Sequence, residues 1–216
     1  MSIKLICSDC DGVLANVADR KYEESGFYIY VYKANSALYD KINDFVFSDK
    51  KNGRRLLDAW MVGAITHKQI NRILAENFGC DPDYLDESLL RGCREMKFDW
   101  NLIGLFQKYR EMGLKVFITT DNIDAFSDVT VPTQKLKKYF DKIYNSFSAG
   151  MLKIDNNCQL FRNIAEENLL TPAETLILDD NEKIIGAAEK LGFKTYLYNY
   201  RTYLDFEKWF LKLQSS

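Results

Sequence analysis

The apolar positions of the chain follow two alternating patterns. Short runs, apolar on both faces, occur at Ile3-Lys4-Leu5-Ile6-Cys7-Ser8, Lys115-Val116-Phe117-Ile118-Thr119, Thr175-Leu176-Ile177-Leu178 and Lys194-Thr195-Tyr196-Leu197. Runs of this kind suit strands in the centre of a parallel sheet. Between them, apolar residues recur at helical spacing. Leu102, Leu105, Phe106, Tyr109 and Met112 precede Gly113, and Ile184, Ile185, Ala188 and Leu191 precede Gly192. Glycine at that place is a helix stop. Leu160, Phe161, Ile164 and Ala165 mark another helix, and Phe206, Trp209, Phe210 and Leu213 the last. From about residue 100 onward strand and helix alternate, which predicts an α/β fold with a doubly wound parallel sheet. Crossovers in such a sheet are right-handed, and ligands bind beyond the carboxyl ends of its strands.

The stretch 15–97 breaks that rhythm, so residues 1–14 and 98–216 are expected to form the α/β core and 15–97 a helical insertion after the first strand. Leu38, Ile42, Phe45 and Val46 predict one helix. Thr66 and Gln69 have the spacing of a capping box for another, with Ile70, Ile73, Leu74 and Phe78 along one face before Gly79. Phe27 to Tyr32 has the propensity of a strand, and pattern alone leaves strand and helix both open there. The insertion reads either as an ordinary helical excursion or as a lid over the strand ends.

Composition narrows the class. The chain has 216 residues, 47% of them hydrophobic, and a formal net charge of −2. That is enough apolar material for a buried core, which excludes a disordered chain. The near-neutral balance speaks against nucleic acid or an anionic membrane as partner, since both select basic surfaces. No apolar stretch reaches membrane-spanning length, and the run from Met1 to Cys7 is too short for a secretory leader. A soluble, cytoplasmic protein is expected. The five cysteines form no dense framework; Cys7 and Cys10 make a C-x-x-C, but Cys7 lies in an apolar run where cysteine acts as a small hydrophobe. No second ligand pair accompanies them, as a zinc site would require.

Placed side by side, the strands bring chemistry to one edge. The first ends in Asp9 and Asp11, the second in Thr120 and Asp121, and the third in Asp179 and Asp180, with Lys153 in the connection between the second and third. Carboxylates converging in a low-dielectric crevice repel one another unless a cation joins them. Hard oxygen donors suit Mg²⁺. A carboxylate nucleophile, a hard metal, a lysine and a hydroxyl meet the needs of phosphoryl transfer, whose transferred group carries negative charge on its oxygens. One aspartate can hold the phosphoryl as an aspartyl-phosphate while a second carboxyl moves protons to and from the leaving oxygen and water.

These segments resemble the haloacid dehalogenase (HAD) superfamily. Asp9-Cys10-Asp11-Gly12-Val13-Leu14 resembles its first motif, Ile118-Thr119-Thr120-Asp121 its second, Ser146 to Lys153 the segment leading to its lysine, and Ile177-Leu178-Asp179-Asp180-Asn181 its fourth. They occur in family order along nearly the whole chain. The insertion is similar to the helical C1-type cap, and Trp60-Met61-Val62-Gly63-Ala64-Ile65-Thr66 to a segment common in such caps. The resemblance implies a Rossmann-like core and assigns roles. Asp9 would be nucleophile and metal ligand, and Asp11 general acid/base with its carbonyl on the metal. Thr120, Asp121 and Lys153 would form the phosphate site. Asp180 would ligate the metal, and Asp179 directly or through water. Dehalogenase and phosphonatase branches lack an Asp at the Asp11 position, so the resemblance implies a Mg²⁺-dependent phosphatase for a small phosphorylated metabolite. A phosphomutase or a non-catalytic phosphate-binding module of the same fold are the alternatives. Ile154 stands where the family lysine is usually followed by Pro, and Ile184 where many members have a second acid.

Each feature also has a plainer reading. Asp9 and Asp11 suit a turn, Asp179-Asp180 a helix N-cap, and Thr119 competes with Thr120 as the active hydroxyl. His67, the only histidine, is expected to be solvated in the first turn of its helix. Lys50, Lys51, Arg54 and Arg55 around Asn52-Gly53 suggest an exposed loop or a reader of an anionic substrate. Tyr22, Phe27, Tyr28, Tyr30 and Tyr32 suit either insertion packing or stacking on a ligand. Cys10, between Asp9 and Asp11, suggests a thiol whose oxidation stops turnover.

Overall fold

Residues 2–15, 27–48, 50–51 and 54–215 are described by the computed structural model. Tyr22, Asn52 and Gly53, and the side chains of Lys50, Lys51 and Arg54, lie outside what is described. The elements in chain order begin with β1 (Leu5–Ser8), α1 (Ile29–Ala34), α2 (Ser36–Ser48), β2 (Lys50–Lys51), β3 (Arg54–Arg55), α3 (Leu56–Met61), α4 (His67–Phe78) and α5 (Pro82–Arg94). Next come α6 (Trp100–Glu111), β4 (Lys115–Thr120), α7 (Val131–Thr133), β5 (Lys142–Asn145), α8 (Ser146–Ala149) and α9 (Asp155–Glu167). The chain closes with β6 (Thr175–Asp179), α10 (Glu182–Lys190), β7 (Lys194–Leu197) and α11 (Tyr203–Gln214).

Five strands form one sheet in the order β5-β4-β1-β6-β7, every neighbouring pair parallel. This is the doubly wound α/β arrangement that the periodicity predicts, with one strand more. Lys142-Ile143-Tyr144-Asn145 joins as the β5 edge, where only one side needs a partner and the strand is half-buried. Its mixed sequence therefore lacks the apolar signature of an interior strand. By contrast β1 is buried at every position, because helices cover both faces. Ile6, Ile103, Phe106, Val116, Ile118 and Phe206 belong to one apolar layer, and Leu5, Cys7, Phe117, Phe161, Ile164 and Ile177 to the other.

The insertion has a core of its own. Val31, Ile42, Trp60, Ile70, Leu74 and Leu89 pack together, joined by Ile123 and Ala125 from the loop after β4. Phe27–Tyr32 resolves to helix: Ile29–Ala34 is α1, and Val31 is fully buried. Helix α4 carries the expected capping box and ends at Gly79, a left-handed C-cap. Helix α5 starts with Asp81 accepting from the Asp83 amide, and Pro82 at the first helical position. Ala15 bridges Phe98 in antiparallel fashion, so the insertion leaves and returns to the α/β layer through adjacent backbone.

A polar knot fastens the insertion to the sheet. Asp124, in the loop after β4, accepts from the Trp60 Nε1 at 2.9 Å, from the His67 amide at 2.9 Å and from its own neighbour Ala125 N at 3.0 Å. Its Oδ2 also lies 2.8 Å from His67 Nδ1, and Asp86 approaches the other ring nitrogen at 3.6 Å. His67 is thus held between two carboxylates, not solvated as its place in a first turn suggests. Asp124 is buried, so its loss strands the indole N–H without water to replace it. Asp124→Ala should lower the unfolding free energy by about 2–3 kcal/mol, read from urea titration against the parent; an unchanged midpoint would show that the knot contributes nothing.

Candidate active site

The register of the sheet places the site. Ser8 pairs with Ile118 on one side and Leu178 on the other, so β1, β4 and β6 end together at one edge. Asp9 continues the ladder by one bond, its amide donating to Leu178 O at 2.8 Å. The chain then turns, with the amides of Leu14 and Ala15 both donating to Cys10 O at 2.8 Å. Gly12 sits in that turn at φ +77°, and a Cβ there would lie 2.0 Å from Asp180 Oδ2. The position requires glycine twice over, for its backbone and for the carboxylate resting against it.

Lys153 organises the charges. Its ammonium lies 2.6 Å from Asp9 Oδ2 and 2.7 Å from Asp179 Oδ2, and only 2% of its side chain is exposed. The second oxygens are used as well: Asp9 Oδ1 accepts from Cys10 N at 2.7 Å, and Asp179 Oδ1 from Asn181 N at 2.9 Å. The Lys153 amide donates to Asp121 Oδ1 at 2.8 Å, which anchors the lysine's loop to the end of β4. Ile154 follows the lysine. The loop is shaped by Leu152 N donating to Asp155 Oδ2 at 3.1 Å and Asp155 N donating to Leu152 O at 3.0 Å.

Burial alone would push the Lys153 ammonium down, but the carboxylates of Asp179, Asp9 and Asp121 outweigh it and hold it above its ordinary value. The same crowding acts in reverse on the acids. Burial raises the Asp9 carboxyl well above the usual carboxylate range, and the Asp179 and Asp180 charges add to it against the pull of Lys153. Burial also raises Asp121, and burial together with Asp179 raises Asp180. One ammonium does not neutralise this edge.

Asp9, Asp179 and Asp180 each present an oxygen within 4.8 Å of the others. A cavity of about 970 Å³ opens over them, lined also by Asp11, Asp121, Lys153, Arg55 and Lys183. Thr120 is fully buried at the end of β4, and Asn122 Nδ2 donates to its Oγ1 at 3.4 Å; Asp121 forms the cavity wall above it. Arg55 was grouped by sequence with a basic loop. It ends β3, pairs with Asp58 at 2.7 Å and faces the same cavity, in keeping with the second of the two readings the sequence leaves open for this cluster. Cys10 is buried with its thiol raised by burial and by Asp9, which leaves it a poor target for oxidation. All five cysteines are free, and Cys7, pushed up to about 12 by burial, behaves as a core residue.

The family model for haloacid dehalogenase-like hydrolases matches residues 86–198. The chain belongs to that family. No curated protein matches its sequence. Among solved structures, a HAD family enzyme from Bacteroides thetaiotaomicron, in complex with magnesium and inorganic phosphate, is 22% identical with a TM-score of 0.66, covering 90% of this chain and 93% of its own. A predicted HAD-like family hydrolase from Porphyromonas gingivalis aligns with a TM-score of 0.74 at 19% identity, over 98% and 99% of the two chains. The L-2-haloacid dehalogenase of Xanthobacter autotrophicus, with chloropropionic acid covalently bound, aligns at 0.61 and 16% identity, over 89% of this chain and 76% of its own. The fold is that of HAD enzymes, and no described helix is long and apolar enough to cross a membrane.

Replacing the shared lysine tests how the HAD site is held together. Removing one partner of a buried ion pair leaves the other uncompensated. Lys153→Met should therefore cost about 3–5 kcal/mol in metal-free protein, measured by urea unfolding at neutral pH, and the loss should shrink as acid protonates Asp9. A loss independent of pH would mean that the lysine acts by packing alone.

Proposed function

We propose that this HAD hydrolase is a Mg²⁺-dependent phosphatase acting on a small phosphomonoester through an aspartyl-phosphate on Asp9. The observation that carries the reading is the position of Asp11, which lines both the charged cavity over Asp9 and an apolar cavity under the insertion. A carboxyl at that junction meets the oxygen between phosphorus and the organic group. A dehalogenase, whose leaving group is a halide, has no use for it.

Asp9 is the nucleophile: its Oδ attacks phosphorus, the bond to the leaving oxygen breaks, and Asp11 supplies that oxygen's proton. Asp11 then takes a proton from water, which attacks the phosphoryl and frees Asp9. Lys153 and Thr120 hold phosphoryl oxygens. Lys153 also lowers the charge on Asp9 that would repel an incoming phosphate. Asp121 holds the lysine's loop in place. Asp9, Asp179 and Asp180, with the Asp11 carbonyl, would hold Mg²⁺, and the excess of hard carboxylate oxygens over cations at this edge fits such an ion. When bound, Mg²⁺ supplies positive charge to the phosphoryl oxygens.

The direct test is phosphate release from phosphomonoesters with Mg²⁺ or EDTA. Turnover should require the metal and fall by at least about 10³-fold in Asp9→Asn, as befits loss of a nucleophile; activity surviving that change would remove Asp9 from the role. The raised carboxyls also fix a pH dependence. In the metal-free fold Asp9 and Asp180 keep their protons to higher pH than in the unfolded chain, so their contribution favours the fold at low pH and is lost as pH rises through the raised values. Cation binding competes with those protons. The rise in Tm on adding Mg²⁺ should accordingly be largest above neutrality and vanish on acidification, and a rise that grows toward acid would contradict the ligand assignment.

A further inference from the structure

The charged cavity has an apolar neighbour of about 310 Å³, enclosed by the insertion and the loop after β4. The two share Asp11, Asp121, Phe47, Leu57 and Met61, so the second opens directly from the site of chemistry. Its other walls include Tyr28, Ile42, Val46 and Trp60, and no lysine or arginine lines it among the described residues. Among the described residues, Arg55, Lys153 and Lys183 border the charged cavity instead.

The polar atoms on this wall are largely committed elsewhere. The Trp60 Nε1 donates to Asp124 at 2.9 Å, and the Tyr28 hydroxyl donates to Asn71 Oδ1. Asn122 spends its Oδ1 on the Ile123 amide at 3.0 Å and its Nδ2 on Thr120. Those two rings therefore present carbon to the cavity. The other polar side chains of its lining are Asn43 and Tyr39 on the wall and the acids Asp11 and Asp121 at the mouth shared with the charged cavity, too few among the described residues to satisfy the hydroxyls of a sugar, which would be stripped of water at a cost for each unpaired group. A second phosphate or a carboxylate would find no cation there among the described residues, and would face Asp11 and Asp121. The volume is roughly twice the ~150 Å³ that holds a benzene ring in an apolar protein cavity.

We infer that this pocket receives the organic half of the substrate, and that the substrate is a phosphomonoester of an uncharged apolar alcohol, aromatic or medium-chain aliphatic, rather than a sugar phosphate, nucleotide or bisphosphate. The inference rests on the phosphatase reading and narrows it. The ester bond would lie at Asp11, with the phosphoryl toward Asp9 and Lys153 and the hydrocarbon packed between α2 and α3.

The test compares esters of primary alcohols, whose leaving oxygens are alike: benzyl and hexyl phosphate against glycerol 1-phosphate and glucose 6-phosphate, with Mg²⁺. The apolar esters should exceed the polar ones in kcat/KM by at least about tenfold, the discrimination that small apolar groups bring in a fitted pocket. Phe47→Glu, at a side chain 45% exposed on the rim shared by both cavities, should cut that ratio by about tenfold. Glycerol or glucose phosphate as the better substrate would overturn the pocket assignment and leave the phosphatase reading standing. Should no ester turn over, the phosphatase reading falls, and calorimetric binding of benzylphosphonate and glycerol 1-phosphate decides the pocket by itself. Tighter benzylphosphonate, weakened by Phe47→Glu, supports it, and equal or reversed affinities overturn it.

Discussion

The Lys153 ammonium lies 2.6 Å from one buried aspartate and 2.7 Å from another, at the edge where three parallel strands end together. Folding has to bury this lysine because the two carboxylates are themselves fixed by the backbone: Asp9 extends β1 and Asp179 closes β6. Two acids at that separation in a low dielectric would protonate or drive the strands apart without a cation between them. A lysine delivered by the loop before α9 satisfies both, and Asp121 holds that loop by its main chain. The arrangement still leaves an excess of negative charge facing the cavity. That excess is a cost to the metal-free fold and, on the reading given above, the source of affinity for a divalent cation and then for phosphate. Stability and function pull on the same side chains in opposite directions.

How much of this was legible in the sequence depended on burial. Interior strands are apolar on both faces, so β1, β4 and β6 stand out, and the polar residues that follow them mark the functional edge; β7, the other edge of the sheet, is legible from its place after the helix stop at Gly192. Strand β5 was not visible because an edge strand needs only one covered side, and Lys142-Ile143-Tyr144-Asn145 has no pattern to separate it from a loop. Helix α3 has no signature, since the run Leu56–Met61 is too short for a period, whereas α5 carries one, with Leu85, Leu89 and Cys93 on one face behind the Asp81 cap and Pro82. Phe27–Tyr32 had the propensity of a strand, and packing of Val31 into the insertion core decided for helix. The acids could be read off the strand ends, and Lys153 through the resemblance of the segment Ser146 to Lys153 to the family's. Which of the two readings of the Arg55 cluster holds, and the His67–Asp124 contact, could not be read, because each depends on segments far apart in the chain.

The insertion is more than a cover. Asp124 leaves β4 only a few residues after the wall of the charged cavity, and it grips Trp60 and His67 in α3 and α4. Ser146, after β5, makes a second tie: its hydroxyl donates to Met61 O at 2.6 Å and accepts from the Asn122 amide at 3.0 Å. Trp60 and Met61 also line the apolar pocket. The residues that fasten the insertion are thus adjacent to those that would read the organic group, and they follow the ends of β4 and β5.

Covalent chemistry at Asp9 is the claim on which the rest stands. Acid quenching during steady turnover of benzyl phosphate, followed by peptide mass spectrometry, tests it most directly, since an acyl phosphate survives acid long enough to be mapped. A phosphoryl group on the peptide at Asp9, absent from Asp9→Asn and from protein quenched before substrate is added, is the expected result. Rapid phosphate release with no phosphorylated Asp9 at any quench time, or a phosphoryl group mapped to another residue, would contradict the account.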